Sequence, residues 1–463
     1  MADDSTIAAV LAALAVAAFA CALFGAGARA LRQPPVIGQI LAGIALGPSL
    51  LGRLPGDPTA RLFPAHVLPY LGMLGQVAVT VFMFSVGYEL TAHRRQAAGR
   101  AVAAVAAGAL VVPMGLGAAM AVLGRAEFGA AGEPHAGSGT FVLFLAVAVS
   151  ITALPVLAAI VRDRDLDGTR AGTVALASSG LMDVVAWLTL AAITLGAGTT
   201  DGRRAGVQQV GLRLVLLLAL AAALLGVVRP LLRRWMRGSA TVPYHLPVAF
   251  ALAAGAAAAT TALGLHAVFG GLLAGAAMPH PHAHPDPRSA PSSGSRSDRA
   301  AVPFLTAALH AVESLLLPLF FVTTGLALDV GALRPGDFVL LAVVCAVACA
   351  GKLGGGYVGA RFGGLPRRPS ATVAVLLNTR GLTELIALNL GLASGVIHKR
   401  LFTVLVLMAV ITTLMTSPLL TALGDRANPR RKRGSRPVEP AAASTSAETD
   451  PVSDREIQAG HVS

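Results

Sequence analysis

Charge is scarce in this chain of 463 residues: Asp, Glu, Lys and Arg together make up 13% of it. A water-soluble chain carries about 25%, so a soluble surface for a protein of this length is excluded. Hydrophobic residues make up 55%, the mean hydropathy is +0.71, and the apolar excess must face lipid. Cysteine is nearly absent. Cys21, Cys345 and Cys349 all lie in apolar runs, an odd number without framework spacing, so no disulfide scaffold or zinc site is implied. A basic leader is missing as well: residues 1–6 are acidic, and no small-residue cleavage site follows a short apolar core. The first apolar run therefore reads as a retained helix.

What the chain does have is long apolar runs. At about 20 residues per bilayer crossing, an all-α polytopic membrane protein with about thirteen transmembrane helices is expected. The spans fall near 6–28, 34–51, 67–90, 101–123, 139–161, 171–197, 207–228, 243–262, 264–279, 303–328, 338–360, 371–394 and 401–423. Two of them, 34–51 and 264–279, are short enough to be tilted or partly unwound. The net charge of +13 is carried by Arg in alternate loops, such as Arg94, Arg95 and Arg100, or Arg229, Arg233, Arg234 and Arg237. Basic residues collect on cytoplasmic loops, which predicts the N-terminus outside and the C-terminus inside. The charge is thus a topology signal and not a nucleic-acid patch. Residues 280–302 read as a disordered cytoplasmic loop, and 427–463 as a disordered cytoplasmic tail. Alternate His280, His282 and His284 among prolines read as solvated chain, and no metal site is expected.

The informative charges lie inside the spans, where an ionisable group is costly and marks function by default. Asp183 sits in mid-span in SSGLMDVVAWLTLAA with no opposite charge on its own helix, as a transport carboxylate would. Lys352, in CAVACAGKLGGGYVGA, lies too deep to snorkel and calls for an acidic partner. Arg380 and Glu384 are spaced i, i+4, which suits either a private ion pair that fixes packing or part of a site. Glu89 and Glu313 lie near span ends and read as interfacial. No span contains a nucleophile–base pair or a metal cluster, so an enzyme is not expected.

Two spans carry helix breakers. In VSITALPVLAA, Pro155 removes a backbone donor and clashes with the carbonyl of Ile151, beside Thr152. In LLNTRGLTEL, Asn378, Thr379 and Gly381 weaken the helix in mid-span. Broken backbone at membrane depth persists only where it lines a cavity or is re-satisfied by neighbours. The two spans are the fifth and the twelfth and run in opposite senses, which predicts an inverted repeat with two crossed discontinuous helices.

With these residues the chain resembles the monovalent cation:proton antiporter superfamily, in the branch of Kef-type bacterial transporters and plant cation/H+ exchangers. The resemblance runs through QPPVIGQILAGIALGPSLLG, FMFSVGYEL, VSITALPVLAAIVRD with SSGLMDVVAW, LLLPLFFVTTGLALD, GKLGGGYVGARF and LLNTRGLTELIALNLG with LMAVITTLMTSPLL. It implies a membrane domain over 1–426, with a core at about 101–197 and 338–423 and a scaffold at about 6–90 and 207–328. It also implies exchange of K+ or Na+ for H+ across the cell membrane by alternating access, in a homodimer without a cofactor. Asp183 matches the ion-binding aspartate of the family, and Lys352 its charge partner in some members. Thr152 and Pro155 match the first broken helix; Asn378, Thr379, Arg380 and Gly381 match the second, with Glu384 one turn on. Met182 departs from the Asp or Asn usual in relatives, and a thioether is a poor ligand for a hard cation. A same-fold symporter of another solute and an uncoupled, channel-like pathway are the alternative readings.

Overall fold

The computed structural model describes residues 4–93, 99–130, 133, 138–166, 169–197, 203–236, 244–279 and 295–424. Residues 280–294, with the three histidines, and the tail from 427 onward lie outside the described residues, as do the side chains of Glu89 and Glu313. Among the described residues the fold is entirely helical, as expected.

The first half of the chain contains α1 (Asp4–Ala30), α2 (Pro35–Leu46), α3 (Pro58–Leu62), α4 (Leu68–His93), α5 (Arg100–Leu123), α6 (Arg125–Ala130), α7 (Gly139–Ser150), α8 (Leu154–Asp163) and α9 (Arg170–Ala197). The second half adds α10 (Arg203–Ala223), α11 (Arg229–Trp235), α12 (His245–Ala262), α13 (Ala267–Ala277), α14 (Ser295–Leu326), α15 (Pro335–Phe362), α16 (Arg367–Leu377), α17 (Leu382–Ala393) and α18 (Lys399–Ala422).

Among the described residues, eleven helices are long and apolar enough to cross a membrane, or twelve if the bent pair α16–α17 is one span. The expectation of thirteen counted 264–279 as well. That segment is α13, whose 11 residues reach about 16 Å, roughly half a bilayer core. The other short span, 34–51, does reach crossing length, but only as a composite: α2 stops at Leu46 and the chain continues through a 3-10 turn at Leu51–Arg53. One boundary differs clearly. The helix expected to begin at 303 begins at Ser295, inside the expected disordered loop. Hydropathy marks where lipid ends, whereas a polar run such as SRSDRAA can continue a helix into water. A π-helical turn at Leu224–Val228 joins α10 to α11 just before Pro230, where the proline removes a donor from the ladder.

Small residues set the helix spacing. Gly108 on α5 faces Gly355 on α15 so closely that neither has room for a Cβ. Gly87 on α4 meets the backbone of α13, and Gly43 on α2 meets Gly325 on α14 in the same way. Such approaches replace the missing hydrophobic drive between helices in lipid with dense van der Waals contact. At one end of α15, Asp337 accepts from Arg400 Nη2 at 2.6 Å, which pins the first turn of α18 to that of α15.

Candidate functional site

The two broken spans meet in the structure. The α7–α8 span opens at 151–153 and the α16–α17 span at 378–381. Each break supplies hydrogen-bond partners to the other. Ala153 N donates to Thr379 O at 3.1 Å, Thr152 Oγ1 donates to Leu377 O at 3.1 Å, and Thr383 Oγ1 donates to Thr152 O at 3.3 Å. Pro155 lies in the first turn of α8, and the backbone groups Ala153 N and Thr152 O at this break are thereby paired with the other break. The adjacent helix α18 closes the crossing: Thr413 Oγ1 accepts from Arg380 N and donates to Arg380 O, both at 2.8 Å, and Asn378 Nδ2 donates to Thr412 O at 3.3 Å.

Two of the half-helix ends, the C-terminus of α7 and the N-terminus of α17, meet a complementary charged group. The C-terminal carbonyls of α7 carry partial negative charge. Arg380 supplies donors there, from Nη1 to Ala148 O at 2.9 Å and from Nη2 to Val149 O. Its Nη1 also reaches Glu384 Oε1 at 2.9 Å, and both side chains are fully buried. Glu384 lies in the first turn of α17, at the positive end of that helix. The i, i+4 pair thus belongs to the crossing itself and is not a private feature of one helix.

Gly381 N-caps α17 at φ +156°, a region that L side chains rarely adopt, and an added Cβ would lie 2.8 Å from Val156 Cγ2. Gly381→Ala is therefore expected to cost about 1–3 kcal/mol in backbone strain. Gly354 on α15 faces open space, and its change to Ala is expected to leave stability unchanged or raised by about 0.5–1 kcal/mol. Thermal aggregation of the detergent-solubilised variants measures both. Equal stability of the two variants would contradict the strained cap.

Asp183 lies halfway along α9 and is 1% exposed. It has no hydrogen bond or ion pair among the described residues, and its Oδ2 is buried without a partner. Lys352, fully buried on α15, acts on Asp183 and Glu384 through space. Its direct partner is a hydroxyl and not an acid, since Nζ donates to Thr152 Oγ1 at 2.6 Å. The ammonium is therefore moored to the first break while Asp183 stays open to a ligand. Met182 is 1% exposed and belongs to an apolar cluster with Val156, Leu157 and Val373. At this position the chain has an apolar packing residue.

Sequence reasoning did not single out Ser179. It precedes Asp183 by one turn, shares its helix face, and has a buried Oγ without a partner. The doublet in SSGLMD was the available signal: Ser178 uses its hydroxyl on Val102 O of α5, and Ser179 does not. Thr412 and Thr413 were also missed, because threonines in an apolar span look like ordinary back-bonding residues until the neighbouring break is placed beside them.

Comparison with known proteins now adds to this geometry. The sequence profile described as sodium/hydrogen exchanger, transmembrane, matches residues 15–423. The chain belongs to that family. It is 33% identical over 423 residues to the Na(+)/H(+) antiporter NhaS4 of Synechocystis, covering 91% of this chain and 98% of that protein. Cation/H(+) antiporter 20 of Arabidopsis thaliana is 34% identical across 89% of this chain, which spans 47% of that relative's length. K(+)/H(+) antiporter 1 of Saccharomyces cerevisiae is 28% identical across 84% of this chain and 43% of its own. The sodium proton antiporter MjNhaP1 of Methanocaldococcus jannaschii shares the fold, with a TM-score of 0.58 at 14% identity over 91% of this chain and 98% of that one. The family places this multi-pass protein in the monovalent cation:proton antiporter superfamily, a group of transporters and not of enzymes. The shared fold bears out the all-helical antiporter fold expected from the sequence.

Proposed function

We infer that the protein exchanges a monovalent cation, K+ or Na+, for H+ across the cell membrane, with Asp183 binding the proton and the cation in turn. The observation that carries this reading is the unpartnered, buried carboxylate of Asp183 within electrostatic reach of Lys352, whose ammonium is held aside by Thr152. A proton or a cation can each neutralise that carboxylate; both together are disfavoured by charge, which couples their movements. Ser179 Oγ and Asn378 Oδ1, both buried without partners, are further hard oxygens of the kind alkali cations prefer. With Met182 in the apolar cluster, α9 offers one ionisable ligand at this level, and we assign one-for-one exchange.

The expected core (about 101–197 and 338–423) carries the crossing, Asp183 and Lys352, and moves against the scaffold (about 6–90 and 207–328) to expose the site alternately. The N-terminus lies outside and the C-terminus inside, following the Arg bias, and the functional unit is a homodimer in the bilayer.

Fluorescence of a pH-sensitive dye in proteoliposomes tests this reading, with K+, Na+, Rb+ and Li+ added in turn to vesicles holding a proton gradient. K+ or Na+ is expected to collapse the gradient in a saturable manner, at a rate independent of the membrane potential. A linear, unsaturable flux that cannot run against the cation gradient would instead identify a channel.

A further inference from the structure

The helices fall into two groups by how closely their backbones meet. One group holds α1–α4 and α10–α14, the other α5–α9 and α15–α18. Inside each group, glycines weld neighbours together: Gly43 against Gly325 and Gly275 against Phe84 in the first, Gly108 against Gly355 in the second. No described glycine makes such an approach from one group to the other. The seam between them is built from side chains, including Trp187 of α9 edge-on to Phe269 of α13 at 6.1 Å.

Within that seam lie two sets of polar contacts. Asn389 Nδ2 on α17 donates to Thr324 Oγ1 on α14 at 3.1 Å. In the turn before α2, Gln33 Nε2 donates to Leu414 O at 3.5 Å, and Ser417 Oγ on α18 donates to Arg32 O at 3.3 Å.

Chain direction puts these contacts on opposite sides of the crossing. Asn389 follows Leu382, the first residue of α17, by seven positions, about 10 Å of helix toward the α17–α18 turn. Helix α18 returns from that turn to the crossing at Thr413, and Ser417 lies one turn, about 6 Å, beyond it. Both sets of contacts are made in this structure, and Asp183 is 1% exposed.

We propose that Asn389–Thr324 and Gln33/Ser417 are paired catches that close the seam on either side of the Asp183 site, and that each must open once per transport cycle. Alternating access is the reading on which this rests. Neutral amide, hydroxyl and carbonyl groups suit the task. Each contact is worth little enough to break repeatedly, yet its groups are costly to leave unpaired in an apolar seam, so the closed position is favoured. The two catches differ in strength. Gln33 holds by a longer contact and leaves Oε1 buried without a partner, so its side opens more readily.

Reversible cross-linking tests the proposal in proteoliposomes. In a background with Cys21, Cys345 and Cys349 changed to Ser, one variant carries Asn389→Cys with Thr324→Cys, and another Gln33→Cys with Leu414→Cys. A control carries Ser49→Cys with Leu328→Cys, a hydrogen-bonded pair within one group. A short bifunctional methanethiosulfonate is expected to lower cation-driven proton movement at least tenfold in either seam pair. Dithiothreitol is expected to restore it, and the control pair is expected to be unaffected. Separately, Asn389→Leu is expected to raise the maximal rate about threefold while the half-saturating cation concentration stays within twofold. Full exchange by a cross-linked seam pair, or a Leu variant that alters only cation affinity, overturns the catches. Wild-type protein in the same vesicles reports the functional reading by itself: exchange by wild type together with exchange by the cross-linked pairs sinks the catches alone.

Discussion

Asp183→Asn is expected to reduce cation-driven proton movement in proteoliposomes to the level of protein-free vesicles. The substitution keeps shape and polarity but removes the one carboxyl on α9 proposed to take up and release a proton. Its carboxylate is buried at mid-helix with Oδ2 unpartnered, so no structural bond is lost by the change. Folding is expected to survive, and stability to be equal or higher, because a buried charge without a direct partner is replaced by a neutral amide. Loss of transport with unchanged thermal stability is therefore the signature of a transport carboxylate. A structural residue would give the opposite pairing.

The pH dependence follows from the same competition. If proton and cation share one carboxylate, each binds less well in the presence of the other, by an equal factor. Lowering the pH fills Asp183 with protons and weakens apparent cation binding. In the range where the free site is mainly protonated, the half-saturating cation concentration is expected to rise about tenfold per pH unit fall. Raising the cation concentration should then recover the full rate. Initial rates over a grid of cation concentration and pH show whether this holds. A pH effect confined to the maximal rate, with constant half-saturation, would place the titrating group elsewhere.

Much of this site was readable from residue type and depth. Asp183, Lys352, Arg380 and Glu384 stood out because charge within an apolar run has few structural excuses, and all four are buried in the fold. Pro155 and Gly381 marked the breaks because one lacks a donor and the other tolerates a backbone that side chains reject. The partners were not readable. Nothing in the sequence around Thr152 says that its hydroxyl takes the Lys352 ammonium, since the two are 200 positions apart and meet only when the helices cross. The same holds for the Thr413 bonds to the Arg380 backbone. Element ends showed the limit of hydropathy. It located the apolar part of α14 but not its polar start at Ser295, and it could not tell the 11-residue α13 from a full crossing.

Arg380→Met is expected to be the most destabilising single change at the crossing. The guanidinium serves two sets of groups at once: the C-terminal carbonyls of α7 through Ala148 and Val149, and the carboxylate of Glu384. Removing it leaves a fully buried carboxylate without its cation, at a cost of about 3–5 kcal/mol. The freed carbonyls add to this wherever water cannot reach them. Arg380→Lys is expected to fall between parent and Met variant, because one ammonium cannot reproduce a planar fork that reaches both targets. The double change Arg380→Met with Glu384→Leu separates the two contributions. It removes the stranded carboxylate, so it should recover the part due to charge, but the α7 carbonyls stay unpaired and the recovery should be incomplete. Melting temperatures of the detergent-solubilised variants decide the matter. If the double variant matches the parent, Arg380 acts on Glu384 alone and the α7 carbonyls need no cap. If Arg380→Met itself matches the parent, the crossing is held by its backbone and threonine bonds, and the charge pair is free to serve transport only.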